Sequence, residues 1–253
     1  FTLIETLVTV TIISILAGGM TLIPTMKQRL ASPSDLVDIT KISDLSGIKV
    51  SGKSVTIGAA TTHYDVATNE KLAKVCPALC SLASHIGDPH VRYRGTIGGS
   101  ISNNDPAADY PSAMLALNAN IITDKRAIPA DKFFKGLFET ALKDGEIVTA
   151  IEFTAPAKAA YSKFPNPASR YAMAGVFVAK DKDGVRVAVT GAGDGGVFRH
   201  KGLEAALDKK FDAGSVDAVK IDAKGLMSDM HATAAYRAAL IKVMAKRAVA
   251  AAG

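Results

Sequence analysis

The chain has 253 residues, 48% of them hydrophobic and 21% charged, with a net charge of +6. That length allows one large domain or two ordinary ones, and that balance excludes an intrinsically disordered protein. The basic residues are dispersed, without a dense Lys/Arg block or an interleaved aromatic platform, which argues against a nucleic-acid partner.

The chain opens FTLIETLVTVTIISILAGGMTLIPTM, with no charge between Glu5 and Lys27. Such a run is long enough to span a bilayer as a helix. From Val8 to Leu16, however, seven of nine residues are β-branched, which favours a strand in a soluble setting. The Gly18-Gly19 pair interrupts any helix. Two readings compete here: a membrane-spanning segment, or a buried strand ending in a glycine turn. In Ala17-Gly18-Gly19-Met20-Thr21, backbone amides and a hydroxyl could donate to a diphosphate, or the segment could be a plain turn.

Residues 55–60 read as a short strand, and 66–86 carry helical spacing at Leu72, Val75, Leu79 and Leu82. Cys76 and Cys80, the only two cysteines, share one helix face there. They lack partners for a metal site and the spacing of a redox pair, so buried unreactive thiols are expected. Asp88 with Arg92 and Arg94 reads as a surface ion-pair cluster.

The stretch TIGGSISNNDPAADYP, residues 96–111, comes next, before an apolar helical run over 112–119. Its glycines Gly98 and Gly99 let backbone approach a ligand closely. Asp109 and Pro111 suit the first turn of a helix, where anions are favoured. Neither glycine loop fits GxGxxG or GxxxxGK[ST], which disfavours a nicotinamide Rossmann site or an ATPase.

Strands are expected over 119–123 and 147–153, with Ala155-Pro156 closing a domain and a linker running to about Ala168. A hairpin follows, 171–179 with 185–190, turning at Asp183-Gly184. Residues 191–196 read as a plain glycine turn. Helices are expected over 202–207, 213–221 and 232–250, the last with Tyr236, Leu240, Val243 and Met244 on one face and Arg237, Lys242 and Lys246 elsewhere. The fold class is α+β, divided into 1–16, 17–156 and 157–253. There is no nucleophile–base pair, carboxylate dyad or metal cluster, so no catalytic side chain is assigned; any redox chemistry would belong to a bound cofactor.

Two resemblances add to this reading. AGGMTLIPTMK (17–27), VTIGAATTH (55–63), IGDPHVRYRGTIGGSISNNDPAADYP (86–111), DGEIVTAI (144–151), SKFPNPASRYA (162–172) and SDMHATAAYRAALIKVMAKRAV (228–249) occur in family order. Residues 17–253 thereby resemble the FAD-binding medium subunit of molybdenum hydroxylases, the family of carbon monoxide dehydrogenase and xanthine dehydrogenase. The resemblance implies a vanillyl-alcohol-oxidase type FAD-binding domain and a C-terminal α+β domain of the CO dehydrogenase flavoprotein type. It implies that Ala17, Gly18, Gly19, Met20, Thr21, Thr96, Ile97, Gly98, Gly99 and Ser100 hold the FAD diphosphate. Thr62 and His63 match a turn near the cofactor, Asn104 and Asp109 polar positions facing it, and Ile147 a backbone or apolar contact. Lys163 and Tyr171 match positions near the isoalloxazine ring, and Arg170 replaces an aspartate of some relatives. His63 could equally be an ordinary turn residue, and Tyr171 a core aromatic. The implied partners are an iron–sulfur small subunit and a molybdenum large subunit, which carry those cofactors, in a cytoplasmic complex. The family's usual strand and helix before AGG are expected to be missing. In their place, Phe1-Thr-Leu-Ile-Glu5 and the apolar run after it resemble the start of type IV pilins and pseudopilins. That alternative implies a helix whose Phe1 and Glu5 drive assembly, at the inner membrane or in an extracellular filament.

Overall fold

The computed structural model describes residues 13–16 and 18–253. Strand β1 (Ile13–Leu16) leads through Gly18 and Gly19 into the short helix α1 (Leu22–Lys27), and β2 (Asp35–Asp38) returns parallel to β1. Ile13 lies opposite Asp35 and Leu16 opposite Asp38, so the β-branched residues of this run's end do form a strand. Phe1 and Glu5, on which the pilin-like reading rests, lie outside the described residues. No described helix is long and apolar enough to cross a membrane.

The hairpin β3 (Ile48–Ser51) and β4 (Ser54–Gly58) is followed by three helices: α2 (His63–Thr68), α3 (Glu70–Val75) and α4 (Pro77–Ser84). Apolar spacing runs through this region as if it were one helix, but local chemistry cuts it twice. Asn69 is extended and accepts from the Leu72 N–H at 2.9 Å, ending α2 and capping α3. Cys76 leaves the helical region and Pro77 opens α4, where its missing N–H costs nothing. Both thiols are buried, and burial pushes Cys76 up to about 12 and Cys80 to about 11, so the unreactive reading holds.

Helices α5 (Pro89–Arg94), α6 (Ile97–Asn103) and α7 (Tyr110–Ala116) follow, then β5 (Asn120–Thr123), β6 (Ala127–Pro129), the single turn α8 (Ala130–Phe133), the ribbon β7 (Phe134–Gly136) with β8 (Glu139–Thr140), and β9 (Val148–Thr154). The main sheet runs β3-β4-β9-β5-β6, with every pairing antiparallel. Val55, Ile57, Ile121 and Ile151 point from it into a core shared with Leu79, Leu82, Ile97, Met114 and Phe133. All seven residues of α7 are buried, because it packs against the second sheet while Ala113 and Met114 join the core of this one.

The second sheet runs β10 (Lys158–Pro165), β11 (Ala172–Asp181), β12 (Gly184–Thr190), β13 (Phe198–Arg199), again antiparallel. Residues 158–165, expected as linker, are thus an eight-residue strand. The β11–β12 hairpin turns as its Asp-Gly signal indicates, with Gly184 at φ +113°. Helices α9 (Lys201–Lys209) and α10 (Ala234–Ala252) cover the sheet; of 213–221, only a 3-10 turn at Ala213–Val216 forms.

Helix α10 buries Leu240 and Met244 as expected, but its buried face is turned from the expected one. Tyr236 and Val243 are exposed, whereas Arg237 is 3% exposed and sits among Ala238, Ile241 and Met244. Its guanidinium explains the rotation. Nη1 donates to the Met173 carbonyl at 2.7 Å and the Gly191 carbonyl at 2.6 Å, and Nη2 to Asp229 at 2.7 Å. Arg237 thereby ties the helix to both strands of the second sheet's central hairpin at its open end. Replacing Arg237 with Met is expected to lower unfolding free energy by about 3 kcal/mol, because two buried carbonyls and Asp229 lose their donor. Urea titration followed by circular dichroism measures this.

Candidate functional site

A cleft of about 690 Å³ opens between the two units, within the rough 300–1,000 Å³ range of ligand sites. One wall is the loop Gly18–Leu22. A second runs through His63, Gly87, Asp88, Val91 and Gly95 to Ser100. The remainder comes from Asp105, Asp109, the turn 143–146 and the loop 168–171.

Close backbone contacts assemble this cleft. A Cβ on Gly18 would collide with the Arg94 carbonyl, one on Gly95 with the His63 ring, and one on Gly98 with Ala59. Gly95 accepts from the His63 N–H at 2.9 Å. Thr62 caps α2 by accepting from Asp65, and Thr96 caps α6 by accepting from Gly99. The two caps pair as a β-bridge, which brings the TTH and TIGG turns together.

That arrangement decides which amides face a ligand. At the start of α6, Ile97 donates to Thr61 O at 3.0 Å and Gly98 to Ala59 O at 2.8 Å, while Gly99 donates to Thr96 Oγ1 at 3.1 Å. Gly98 therefore serves close packing, Gly99 faces the cleft, and all three amides are already used inside the protein. The contrary holds at 19–22: the amides of Gly19, Met20, Thr21 and Leu22 have no acceptor among the described residues, and Thr21 makes no capping bond. These donors border the cleft and are free to meet an acceptor.

The side chains around the cleft are mostly fixed. His63 is buried, with Nδ1 unpartnered and its ring 5.3 Å from Tyr110. Desolvation, and then Arg92, lower its pKa to about 4, so the imidazole is neutral near pH 7. Asp109 accepts from the Tyr161 hydroxyl and from Lys163 Nζ at 2.9 Å, and Lys163 also donates to the His85 carbonyl at 3.0 Å. Burial pushes the Asp109 carboxyl up, while Lys163 and then Tyr161 pull it back. Tyr171 is half exposed at the cleft mouth, its phenol raised by burial and then by Asp105 and Asp109. Glu146 accepts from Arg126 at 2.8 and 3.0 Å, Lys143 N at 2.9 Å and Thr123 at 2.8 Å.

Of the residues singled out in the sequence, Gly18, Gly19, Met20, Thr21, His63, Thr96, Gly99, Ser100, Asp109 and Tyr171 line the cleft. Ala17 lies outside the described residues. Thr62, Ile97, Gly98 and Lys163 stand directly behind the lining, as caps, packing or ion-pair partner. Asn104 closes α6 at φ +44° and turns its amide away, donating to Gly136 O at 2.7 Å and Glu139 O at 2.8 Å. Ile147 engages Asp124 through its backbone. The expected Asp88–Arg92–Arg94 ion cluster is corrected: Asp88 caps α5 by accepting from Val91, and Arg92 donates to the Ile86 and Gly87 carbonyls. Sequence reasoning missed the turn 143–146 as a wall, although DGEIVTAI was marked; its Asp-Gly pair was the available signal.

Comparison with known proteins places this geometry. A family model described as the FAD binding domain in molybdopterin dehydrogenase matches residues 2–156. The medium chain of carbon monoxide dehydrogenase from Hydrogenophaga pseudoflava is 35% identical over 250 residues, covering 93% of this chain and 87% of its own. The glyceraldehyde dehydrogenase medium chain of Sulfolobus acidocaldarius is 36% identical over 247 residues, covering 92% and 88%. In three dimensions, carbon monoxide dehydrogenase from Hydrogenophaga pseudoflava superposes with a TM-score of 0.86 at 34% identity, over 98% of this chain and 92% of that one. The family match takes in residues 2–16, and the pilin-like reading of that stretch finds no support in it.

Arg126 and the Lys143 amide, with Thr123, hold the Glu146 carboxyl at about 2, down from 4.5. The folded pKa lies below the unfolded one, so this stabilisation is complete above pH 4.5 and is lost as pH falls towards 2. In Glu146→Gln, that part of the acid loss is expected to disappear. Urea midpoints measured across this window should fall less steeply for the variant than for the parent, from a lower starting value.

Proposed function

The chain belongs to the family of FAD-binding domains in molybdopterin dehydrogenases, as an oxidoreductase subunit of the medium-chain type, and from that premise we propose that its cleft holds FAD for electron transfer within a multisubunit complex. The supporting observation is the run of unpaired amides at 19–22, facing a cleft whose backbone walls meet at glycines. Those amides and the Thr21 hydroxyl would hold the diphosphate, with Ser100 across the cleft as a further donor. Gly98 of α6 supports this from behind. Thr96, Ile97, Gly98 and Gly99 position the wall, while Asn104 and Ile147 act at one remove.

His63, kept neutral, adds no charge beside the cofactor, and Asp109 meets it already paired to Lys163 and Tyr161. Tyr171 is proposed to lie against the isoalloxazine at the mouth. FAD supplies the redox chemistry, accepting electrons from a donor subunit and releasing them to an external acceptor. The partners are an iron–sulfur small subunit and a molybdenum large subunit, in the cytoplasm, and they carry the iron–sulfur and molybdenum cofactors. Relatives named for carbon monoxide and for glyceraldehyde share this medium chain, which supports a substrate site on the large subunit. The proposed architecture is of the vanillyl-alcohol-oxidase type, with FAD bound by 17–156 and covered by 157–253.

Purified protein should be yellow and release about one FAD per chain, measured by visible spectrum and flavin extraction. A colourless chain that FAD cannot reconstitute would sink the proposal. In Gly18→Ala the new methyl meets the Arg94 carbonyl, so the loop must shift. FAD content is expected to drop at least roughly tenfold, as a displaced set of phosphate donors implies, while circular dichroism stays unchanged.

A further inference from the structure

The loop joining β10 to β11, residues 166–171, forms the cleft's outer rim: Ala168, Ser169, Arg170 and Tyr171 all line it. Short connections of this kind are ordinarily mobile, yet this one is fastened by a single residue. Asn166 donates its N–H to the Tyr171 carbonyl at 2.7 Å and accepts at its own carbonyl from the Arg170 N–H at 2.8 Å. Its side-chain Oδ1 accepts from the Ala168 N–H at 2.9 Å and the Ser169 N–H at 3.1 Å. Four hydrogen bonds thus converge on one asparagine, and Pro167 stiffens the step after it. Tyr171 adds a bond of its own, donating its N–H to Ser169 Oγ at 3.3 Å.

This fastening opposes a cost. Arg170 sits at φ +62°, a left-handed conformation disfavoured for a residue with a Cβ. Strain of this kind persists where surrounding bonds over-determine it, and it is concentrated at functional sites. Here the conformation sets the direction in which the chain enters β11, and therefore where the next side chain, Tyr171, begins. Tyr171 remains half exposed and has no ring partner among the described residues, so its own packing does not hold it over the cleft.

We propose that Asn166 is a positioning residue for the cofactor ring: its side-chain oxygen locks the 166–171 turn so that the Tyr171 ring covers the flavin end of the cleft. This rests on the FAD reading above. Asn166 touches no ligand in this role and acts through Tyr171. Its amide nitrogen is not needed, which separates it from a binding group: an aspartate keeps both acceptor bonds and an alanine keeps neither.

The test compares the purified parent with Asn166→Ala, Asn166→Asp and Tyr171→Phe. A tyrosine ring against an isoalloxazine quenches its fluorescence by reversible electron donation to the excited ring, and phenylalanine does not. Tyr171→Phe should brighten bound FAD several-fold at unchanged flavin content. Asn166→Ala should also brighten it without loss of flavin, and Asn166→Asp should restore the parent's quenching. A second readout uses the flavin-free chain. Trypsin should cut after Arg170 at least roughly tenfold faster in Asn166→Ala than in the parent, as losing two hydrogen bonds in a locally opening loop implies, and Asn166→Asp should be as resistant as the parent. Asn166→Ala with parental quenching and parental trypsin resistance overturns the proposal. So does loss of FAD in both Asn166 variants, which would make Asn166 a general fold requirement. Unchanged emission in Tyr171→Phe would instead overturn the placement of Tyr171 by the flavin, and the inference with it. FAD extraction from the parent tests the binding reading separately.

Discussion

The cleft depends on close approaches at three glycines, where a methyl group would not fit. Gly98 rests on Ala59, Gly95 on the His63 ring, and Gly18 on the carbonyl of Arg94. None of these three needs a left-handed conformation; each needs the absence of a Cβ. The end of β4, the cap of α2 and the start of α6 form one hydrogen-bonded cluster, and the loop after β1 packs against it through Gly18. Their consequence is chemical. Helix α6 has its first three amides turned inward to Ala59, Thr61 and Thr96, so the donors left for an anion are those of the 19–22 loop, which the Gly18 contact holds at the cleft's edge.

The second sheet is part of the site as well as a cover. Lys163 and Tyr161 of β10 reach across to Asp109, while Thr190 donates to the Ala108 carbonyl at 2.6 Å and the Gly191 N–H to Pro106 at 2.8 Å. Farther out, Arg186 and Arg199 both engage Asp131 at 2.7 and 3.1 Å. Phe177, Ala179 and Ala188 enter the first unit's core. Segment 105–109, one wall of the cleft, is thus held by groups from both units. A buried ion pair of the Asp109–Lys163 kind contributes little net stability, but losing either partner leaves an uncompensated charge. It works here as a register between the units.

The sequence made the elements legible and left their orientation obscure. Apolar runs marked β4, β11 and β12, alternation marked β9, and Asp-Gly marked the β11–β12 hairpin. The two glycine loops stood out by composition, and their order carried the family. Among the features that escaped, three share a cause. Residues 158–165 looked like linker because Ala159, Ala160 and Pro165 weaken a strand signal that comes from pairing with β11. Helix α10 was rotated because a buried arginine reads as surface unless its acceptors are known, and these lie 64 and 46 residues away. Asn104 looked like a cofactor contact, yet its left-handed backbone turns the amide to the 136–139 ribbon. In each case the deciding partner is distant in sequence, and local pattern holds no record of it.

Charge poses the remaining question, because an anionic cofactor would enter a cleft lined by Asp88, Asp105, Asp109, Asp144 and Glu146, with Lys143 and Arg170 as the lysine and arginine of the lining. The structure resolves this by giving most of the acids other work. Asp109 is paired with Lys163, and Glu146 with Arg126 from outside the lining. Asp88 is directed at the first turn of α5, and Asp105 accepts from Ala107 while burial raises its pKa towards the neutral form. Asp144 alone of the five has no such engagement among the described contacts. The cap makes Asp88 more acidic, Lys143 and Arg170 stand on the same lining, and the free donors of the 19–22 loop are peptide amides, whose dipoles offer a diphosphate a site without a cationic side chain in that loop.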